Sequence, residues 1–284
     1  MSLAGKVCLI TGAAGGLGSA TARRLAADGV RLVLTDVDGG RLAALAEDLP
    51  VETVVHAGDV SVEADVDAAV AAGVAAFGRI DLHHLNAGVP GPLVRLPELS
   101  VADWDRVLGI NLRGAFLGVR AAFRQYEVQR SGGAIVLTAS IASLRASDDL
   151  LAYHASKHGV LGLLKGAALY GGPIGVRVNA VAPGIVPTAL FAGAGDGPGG
   201  GDDMARRAAT TPLRRPGTGD EIASVVAFLL GEGAAYMTGE TVSVDGGAAA
   251  VSTVRPSGGA GAWDPRPGDV RMHPELEHTR ESTA

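Results

Sequence analysis

Short apolar runs and longer amphipathic stretches take turns along this chain. Residues 6–11 place Val7, Cys8, Leu9 and Ile10 in succession, the pattern of a short strand buried on both faces. Helical spacing follows from Ser19 to Asp28, and a second strand, Val30 to Thr35, ends at Asp36. Val51 to Ala57 then reads as a strand, Val62 to Phe77 as a helix and Ile80 to Leu85 as a strand. Asp103 to Ala122 reads as one long helix, and Ala134 to Ala139 as a further apolar strand. Strands alternating with helices predict an α/β domain: a doubly wound parallel sheet, helices on both faces, ligands at the carboxyl ends of the strands.

Those strand ends carry residues suited to a ligand. The first strand runs into Thr11-Gly12-Ala13-Ala14-Gly15-Gly16-Leu17-Gly18 and then a helix. A Gly-rich turn lets backbone N–H groups approach a phosphate, and the helix N-terminus adds a favourable dipole, so Gly12, Gly16, Leu17 and Gly18 form the expected pyrophosphate cradle. The spacing Gly12-x3-Gly16-x-Gly18 departs from G-x-G-x-x-G, so the strand-turn-helix context carries the reading. Asp36, eighteen residues past Gly18, stands where a carboxylate accepts from both hydroxyls of an adenosine ribose and repels a 2′-phosphate, which favours NAD over NADP. Val37 adjoins it, and the alternative for Asp36 is an ordinary helix-capping or turn aspartate. Asp59-Val60 closes the third strand, with Asp59 placed to bind an adenine amino group. The small residues of Asn86-Ala87-Gly88 would let backbone lie against the cofactor. His83 and His84 face opposite sides of the strand before them, and with no partner ligands in view both read as structural.

Composition narrows the class. The chain has 284 residues, 47% hydrophobic and 19% charged, enough for a globular domain with a sizeable core. A net charge of −6 with no block of Lys and Arg leaves no electrostatic footprint for nucleic acid or an anionic membrane. No apolar run approaches a membrane span and the first residues lack a signal peptide's apolar core, so a cytoplasmic protein is expected. Cys8 is the only cysteine, which excludes an intrachain disulfide and a multi-cysteine metal site; within its apolar run it reads as a small buried hydrophobe.

The candidate chemistry lies between Ser140 and Lys157. Residues four apart share a helix face, so Tyr153 and Lys157 would present a phenol and an ammonium to one cleft. A free Tyr titrates near pH ~10, and a positive charge beside it favours the phenolate, so Lys157 is expected to lower the Tyr153 pKa and make it a usable proton acceptor. Ser140, thirteen positions before Tyr153, falls where a strand gives way to a loop, and its hydroxyl can hold a substrate oxygen.

Taken together, Thr11-Gly-x3-Gly-x-Gly18, Asn86-Ala87-Gly88, Asn111, Ser140, Tyr153-x3-Lys157 and Pro183-Gly184 resemble, in order and spacing, the short-chain dehydrogenase/reductase family over about residues 4–250. The resemblance implies a single Rossmann-fold catalytic domain over 1–250 with a seven-stranded sheet, whose sixth strand leads through Val176–Gly184 and whose last lies within Gly239–Gly247. It implies Tyr153 as acid/base, Ser140 on the substrate oxygen, Lys157 on the nicotinamide ribose, and Asn111 ordering a water for a proton relay to Lys157. An Asn in the middle of a helix is an unhelpful choice unless its side chain or a local kink has a use. Pro183, Gly184, the Ile185 amide and the Thr188 hydroxyl would meet the nicotinamide end, while Asn179 braces loops. The implied activity is hydride transfer between NAD(H) and a secondary alcohol or ketone, with a diol or dihydrodiol dehydrogenase and a non-turnover NAD-binding sensor as alternatives. A homotetramer or homodimer is implied as well, packed through the helices carrying Asn111 and Tyr153, with the final strand making a second contact.

Two stretches depart from the family pattern. Residues 187–212 include a run rich in glycine from Ala192 to Asp203, which predicts a mobile substrate lid with Leu190, Phe191 and Met204 as candidate walls. Residues 251–284 extend past the usual end; their Pro, Gly and charge predict a disordered appendage, although Trp263 and Met272 also suit an arm over an active site. Between Ser140 and Tyr153, Arg145, Asp148 and Asp149 read as solvated, and Ile141, Leu144, Leu150 and Leu151 suit a cyclic or hydrophobic secondary alcohol.

Overall fold

The computed structural model describes residues 3–148, 150–188 and 201–251. Strands β1 (Val7–Thr11), β2 (Arg31–Asp36), β3 (Thr53–Ala57), β4 (Leu82–Leu85), β5 (Gly133–Thr138), β6 (Val176–Pro183) and β7 (Thr241–Val244) form one sheet in the order β3-β2-β1-β4-β5-β6-β7. Every neighbouring pair is parallel. The winding reverses between β1 and β4, and that reversal opens a crevice at the strands' carboxyl ends.

Helices α1 (Gly16–Ala27), α2 (Gly39–Glu47), α3 (Glu63–Phe77), α4 (Val101–Leu108), α5 (Gly114–Gln129), α6 (Leu151–Gly171), α7 (Gly201–Ala209) and α8 (Gly219–Leu230) complete the described fold. Successive strand residues point to opposite faces, so each central strand feeds two cores. Ile10, Leu34 and Val136 pack with Leu25, Ile222 and Leu229 beneath α1 and α8. Ile135 and Leu137 pack on the other face with Phe123, Tyr126 and Leu164 of α5 and α6. The uninterrupted apolar runs of the sequence follow from this two-sided burial. Among the described residues no helix is long and apolar enough to cross a membrane.

The long helix expected over Asp103–Ala122 is broken. α4 ends at Leu108, Gly109–Arg113 widens into a π-helical turn, and α5 starts at Gly114. The reason lies in Asn111, which is 1% exposed. Its Oδ1 accepts from the Val89 N–H (2.8 Å) and its Nδ2 donates to the Val89 carbonyl (2.9 Å), so the side chain pairs with an irregular backbone segment as a strand would. A wide turn carries it inward, and turns of this kind recur at functional sites.

α8 is closed at both ends. Thr218 and Glu221 form a reciprocal capping box at its start. At its end the Arg177 guanidinium, projecting from β6, donates to the carbonyls of Leu229 (2.7 Å), Leu230 (3.0 Å) and Gly231 (3.0 Å). Those carbonyls lack intrahelical donors. Replacing Arg177 with Met is therefore expected to cost roughly 2–3 kcal/mol, read as a lowered urea midpoint at unchanged slope; an unmoved midpoint would mean that solvent caps α8 equally well.

Candidate active site

A cleft of about 380 Å³ opens at the carboxyl edge of the sheet. At one end lies the turn after β1. Gly12 has φ +64°, and a Cβ there would stand 2.7 Å from the Ala87 Cα, so only glycine lets the two turns close on each other. Thr11 fastens them: its Oγ1 accepts from the N–H groups of Asn86 (2.9 Å) and Ala87 (3.1 Å), while Asn86 Nδ2 donates to the Thr11 and Gly12 carbonyls (3.1 and 3.2 Å). The N-terminus of α1 has no side-chain cap, whereas Ser100 caps α4 and Thr218 caps α8. Gly15, Gly16 and Leu17 therefore bring an uncapped, positively polarised helix end to the cleft wall.

Asp36 lines the same end. Its Oδ2 accepts from the Ala14 N–H (3.1 Å) and its Oδ1 from the Asp38 N–H (3.2 Å), which orients the carboxylate beside the turn. The capping alternative is filled by another residue, since Asp38 caps α2 by accepting from the Arg41 N–H (3.0 Å). A bare helix end and a fixed carboxylate at the end of β2, both lining one cleft, fit a dinucleotide. Four predicted contacts do not line the cleft. Gly18 packs α1 onto the turn, Val37 is exposed, and Val60 is buried against Gly114. Asp59 spends one oxygen on its own turn, accepting from the Ser61 N–H and hydroxyl, both at 2.8 Å.

The other end holds the candidate chemistry. Ser140 caps the short turn Ile141–Ser143, its Oγ accepting from the Ala142 N–H (3.1 Å). Tyr153 and Lys157 follow on the first turns of α6, 7% and 3% exposed. Lys157 Nζ donates to the Thr138 carbonyl (2.7 Å) and stands 5.7 Å from the Tyr153 ring centroid. Asn111 is behind the wall rather than in it, and its Nδ2 also donates to Ser156 Oγ (3.0 Å) on α6. Gly88 makes room for both groups, since a Cβ there would meet Asn111 Oδ1 at 3.2 Å and Lys157 Nζ at 3.5 Å. Pro183, Gly184, Ile185 and Thr188 close this side of the cleft.

A family model described as enoyl-(acyl carrier protein) reductase, one of the short-chain dehydrogenase models, matches residues 12–249. The chain belongs to the short-chain dehydrogenase/reductase family. It is 40% identical to levodione reductase of Leifsonia aquatica, over 86% of this chain and 94% of that one. It is 42% identical to D-threitol dehydrogenase of Mycolicibacterium smegmatis, over 86% and 93% of the two chains. The crystal structure of levodione reductase superposes with a TM-score of 0.81 over 88% of this chain and 99% of that one, at 39% identity. NAD+-bound xylitol dehydrogenase superposes at 0.79 over 87% and 100%, at 35% identity. As a short-chain dehydrogenase/reductase the protein is a hydride-transfer oxidoreductase that uses a nicotinamide cofactor and acts on alcohols or ketones.

One electrostatic expectation changes in this dehydrogenase. Burial raises the Tyr153 phenol above its usual value, opposed by the side-chain hydrogen bond with Ser140. The anticipated lowering by Lys157 does not set the direction, because desolvation disfavours a phenolate, and burial likewise holds the Lys157 ammonium down at about 8. Arg145 is exposed, in keeping with its reading as solvated, and it also borders the cleft, donating to the carbonyls of Leu144 and Ala249 and so tying the substrate-side loop to the turn after β7.

His83 and His84 each hold a buried side-chain hydrogen bond. His83 Nδ1 bonds the Tyr126 hydroxyl (2.9 Å) and His84 Nε2 the Thr138 hydroxyl (2.9 Å), and burial pushes both imidazoles down to about 3. Among the described residues no cluster of His, Cys, Asp and Glu could hold a metal. Asn179 braces loops, donating to the Met237 carbonyl (2.8 Å) and accepting from the Glu240 N–H (3.0 Å). Within the predicted lid, α7 sets Met204 against the cleft, and Leu190 and Phe191 lie outside the described residues, as do Asp149, Trp263, Met272 and the tail after Val251. Sequence reading missed His154, a buried cleft-wall residue next to Tyr153. Its partners lie seven and twelve positions back in a loop, where no periodic signal connects them.

Lys157 supplies a test through stability. Its folded-state value of about 8 lies below its ordinary 10.5, so between these pH values the unfolded chain binds more protons and stability rises with pH. Below pH 8 the full penalty, roughly 3 kcal/mol, is present. Lys157→Met is expected to be more stable than wild type at pH 7, with the gap closing toward pH 10.5 in chemical denaturation; a gap independent of pH would place the ammonium in solvent.

Proposed function

We propose that the protein is an NAD(H)-dependent dehydrogenase or reductase of secondary alcohols and ketones, with Tyr153 as acid/base, Ser140 on the reacting oxygen and Lys157 on the nicotinamide ribose. The observation that carries this reading is one cleft with the bare α1 terminus and Asp36 at one end and Ser140, Tyr153 and Lys157 at the other. Bound NAD+ supplies the hydride acceptor and a positive charge at its nicotinamide. In oxidation the substrate hydroxyl gives its proton to the Tyr153 oxygen, and Ser140 donates to the alkoxide-like oxygen. In reduction Tyr153 returns that proton. Lys157 Nζ, 5.7 Å from the phenol ring centroid, together with the positive nicotinamide of bound NAD+ would favour the phenolate against the burial that otherwise raises it. Asn111, fixed by Val89 and Ser156, positions the wide turn beside Lys157 for the water relay.

Asp36 supports NAD over NADP, because a carboxylate held toward the ribose repels a 2′-phosphate. The substrate side is walled by Ile141, Ala142, Leu150, Val186 and Met204, which favours an apolar or cyclic substrate over an open polyol. Exposed Phe116 and Val128 on α5 and Leu169 and Tyr170 on α6 support a homotetramer or homodimer packed through these helices. A cytoplasmic location agrees with the free, buried thiol of Cys8.

Titration with NADH and NADPH, followed by a panel of cyclic alcohols, ketones and polyols, tests the reading. NADH is expected to bind more tightly, and Tyr153→Phe to lower kcat by roughly 10²–10⁴-fold while leaving NADH affinity intact. Binding without turnover on any substrate would favour a sensor. Asp36→Ala should narrow the preference for NADH by about 10-fold, the scale of one close charge repulsion; a wild-type preference for NADPH would overturn the assignment of Asp36.

A further inference from the structure

We infer that His154 is a positioning residue that clamps the substrate-side loop and so sets which alcohols the site accepts, an inference that rests on the dehydrogenase reading above. The ring is buried on α6, one residue past Tyr153, and lines the cleft. Its Nδ1 lies 3.0 Å from the Ala142 carbonyl, and its Nε2 lies 2.9 Å from both the N–H and the hydroxyl of Ser147. A carbonyl only accepts and a backbone N–H only donates, so Nδ1 carries the proton and Nε2 offers its lone pair. The imidazole is thus neutral and bridges the two ends of the loop Ala142–Ser147.

That loop supplies Ala142, Arg145, Ala146 and Ser147 to the cleft wall. Its first half is a hydrogen-bonded turn, with the Leu144 and Arg145 N–H groups both donating to the Ile141 carbonyl at 2.9 Å. His154 carries the order on to Ser147, and because the ring and the Tyr153 phenol leave adjacent positions of one helix, the loop is indexed directly to the reacting oxygen. A substrate held between loop and phenol therefore meets a wall whose distance from Tyr153 is set by the ring. Phe at 154 keeps the volume and removes the hydrogen bonds of both ring nitrogens; Gln offers one donor and one acceptor on a flexible stem.

The test compares His154→Phe and His154→Gln with wild type, by amide hydrogen exchange at Ser147 without substrate and by steady-state kinetics with NADH affinity measured separately. In His154→Phe, exchange at Ser147 should speed up and KM for the alcohol rise by about 10-fold each, the equivalent of one lost hydrogen bond, with kcat and NADH affinity within about twofold of wild type. His154→Gln should recover part of both effects. Faster exchange with an unchanged KM would overturn the role in specificity, and unchanged exchange would overturn the clamp. A fall in kcat, KM performance and NADH affinity together, with Gln no better than Phe, would reduce His154 to general packing. If wild type turns over nothing, the dehydrogenase reading fails and the specificity role with it, and the exchange result alone decides whether the clamp exists.

Discussion

The buried ammonium of Lys157 is the constraint on which the site depends. Taking a charge out of water costs several kcal/mol, and here its hydrogen-bond acceptor among the described residues is the backbone carbonyl of Thr138 at 2.7 Å. Such an arrangement persists only if β5 and α6 cannot shift against each other. The core beneath α5 and α6 supplies that rigidity through Ile135, Leu137, Val160 and Leu164, all essentially inaccessible. A slide of α6 by one turn, about 5.4 Å, would strand the ammonium without its acceptor, so the packed core and the electrostatics select the same register.

Thr138 is also where the two ends of the cleft become one structure. Its hydroxyl donates to Asn86 Oδ1 (3.1 Å), so the remaining contact, from His84 Nε2, must be a donation to it. Asn86 is thereby left with its amide N–H groups for the Thr11 and Gly12 carbonyls. A single sense of donation runs from β4 through β5 to the Gly-rich turn. Burial keeps His84 neutral, holding it near 3, so this chain of bonds carries no charge and does not reverse within the working range of pH. The fold ties the turns after β1 and β4 together with neutral hydrogen bonds and places its buried ammonium at the reacting end.

What could be read in the sequence was what repeats locally. Unbroken apolar runs announced strands buried on both faces, and the turns after β1, β4 and β5 delivered the residues that line the cleft. Asp36 was legible because its place relative to the glycines is a matter of chain geometry, although only the structure shows Asp38 taking the capping role that Asp36 might otherwise have filled. Asp59 and Val60 followed the same strand-end logic and yet fall outside the cleft, because β3 is the edge strand and its end is used to start α3. The direction of the Tyr153 shift was not legible, since sequence shows a cation four residues away but not the burial that raises the phenol. His154 was missed for a related reason: its partners in the loop Ala142–Ser147 are brought to it by the fold and not by spacing.

Asn111 shows how a local cost can be read once the fold is known. Asn is a poor helix former, and a π turn gives up regular α-helical hydrogen bonding, so the sequence alone marks this segment as weak. The weakness is localised between two regular helices, α4 and α5, and it is compensated by three side-chain hydrogen bonds of 2.8, 2.9 and 3.0 Å that join Asn111 to Val89 and Ser156. Val89 follows the turn that ends β4, and Ser156 immediately precedes Lys157. The irregular turn therefore ties the backbone flanking the cofactor end to the helix that carries the phenol and the ammonium. A straight helix would satisfy its own backbone and leave that connection unmade.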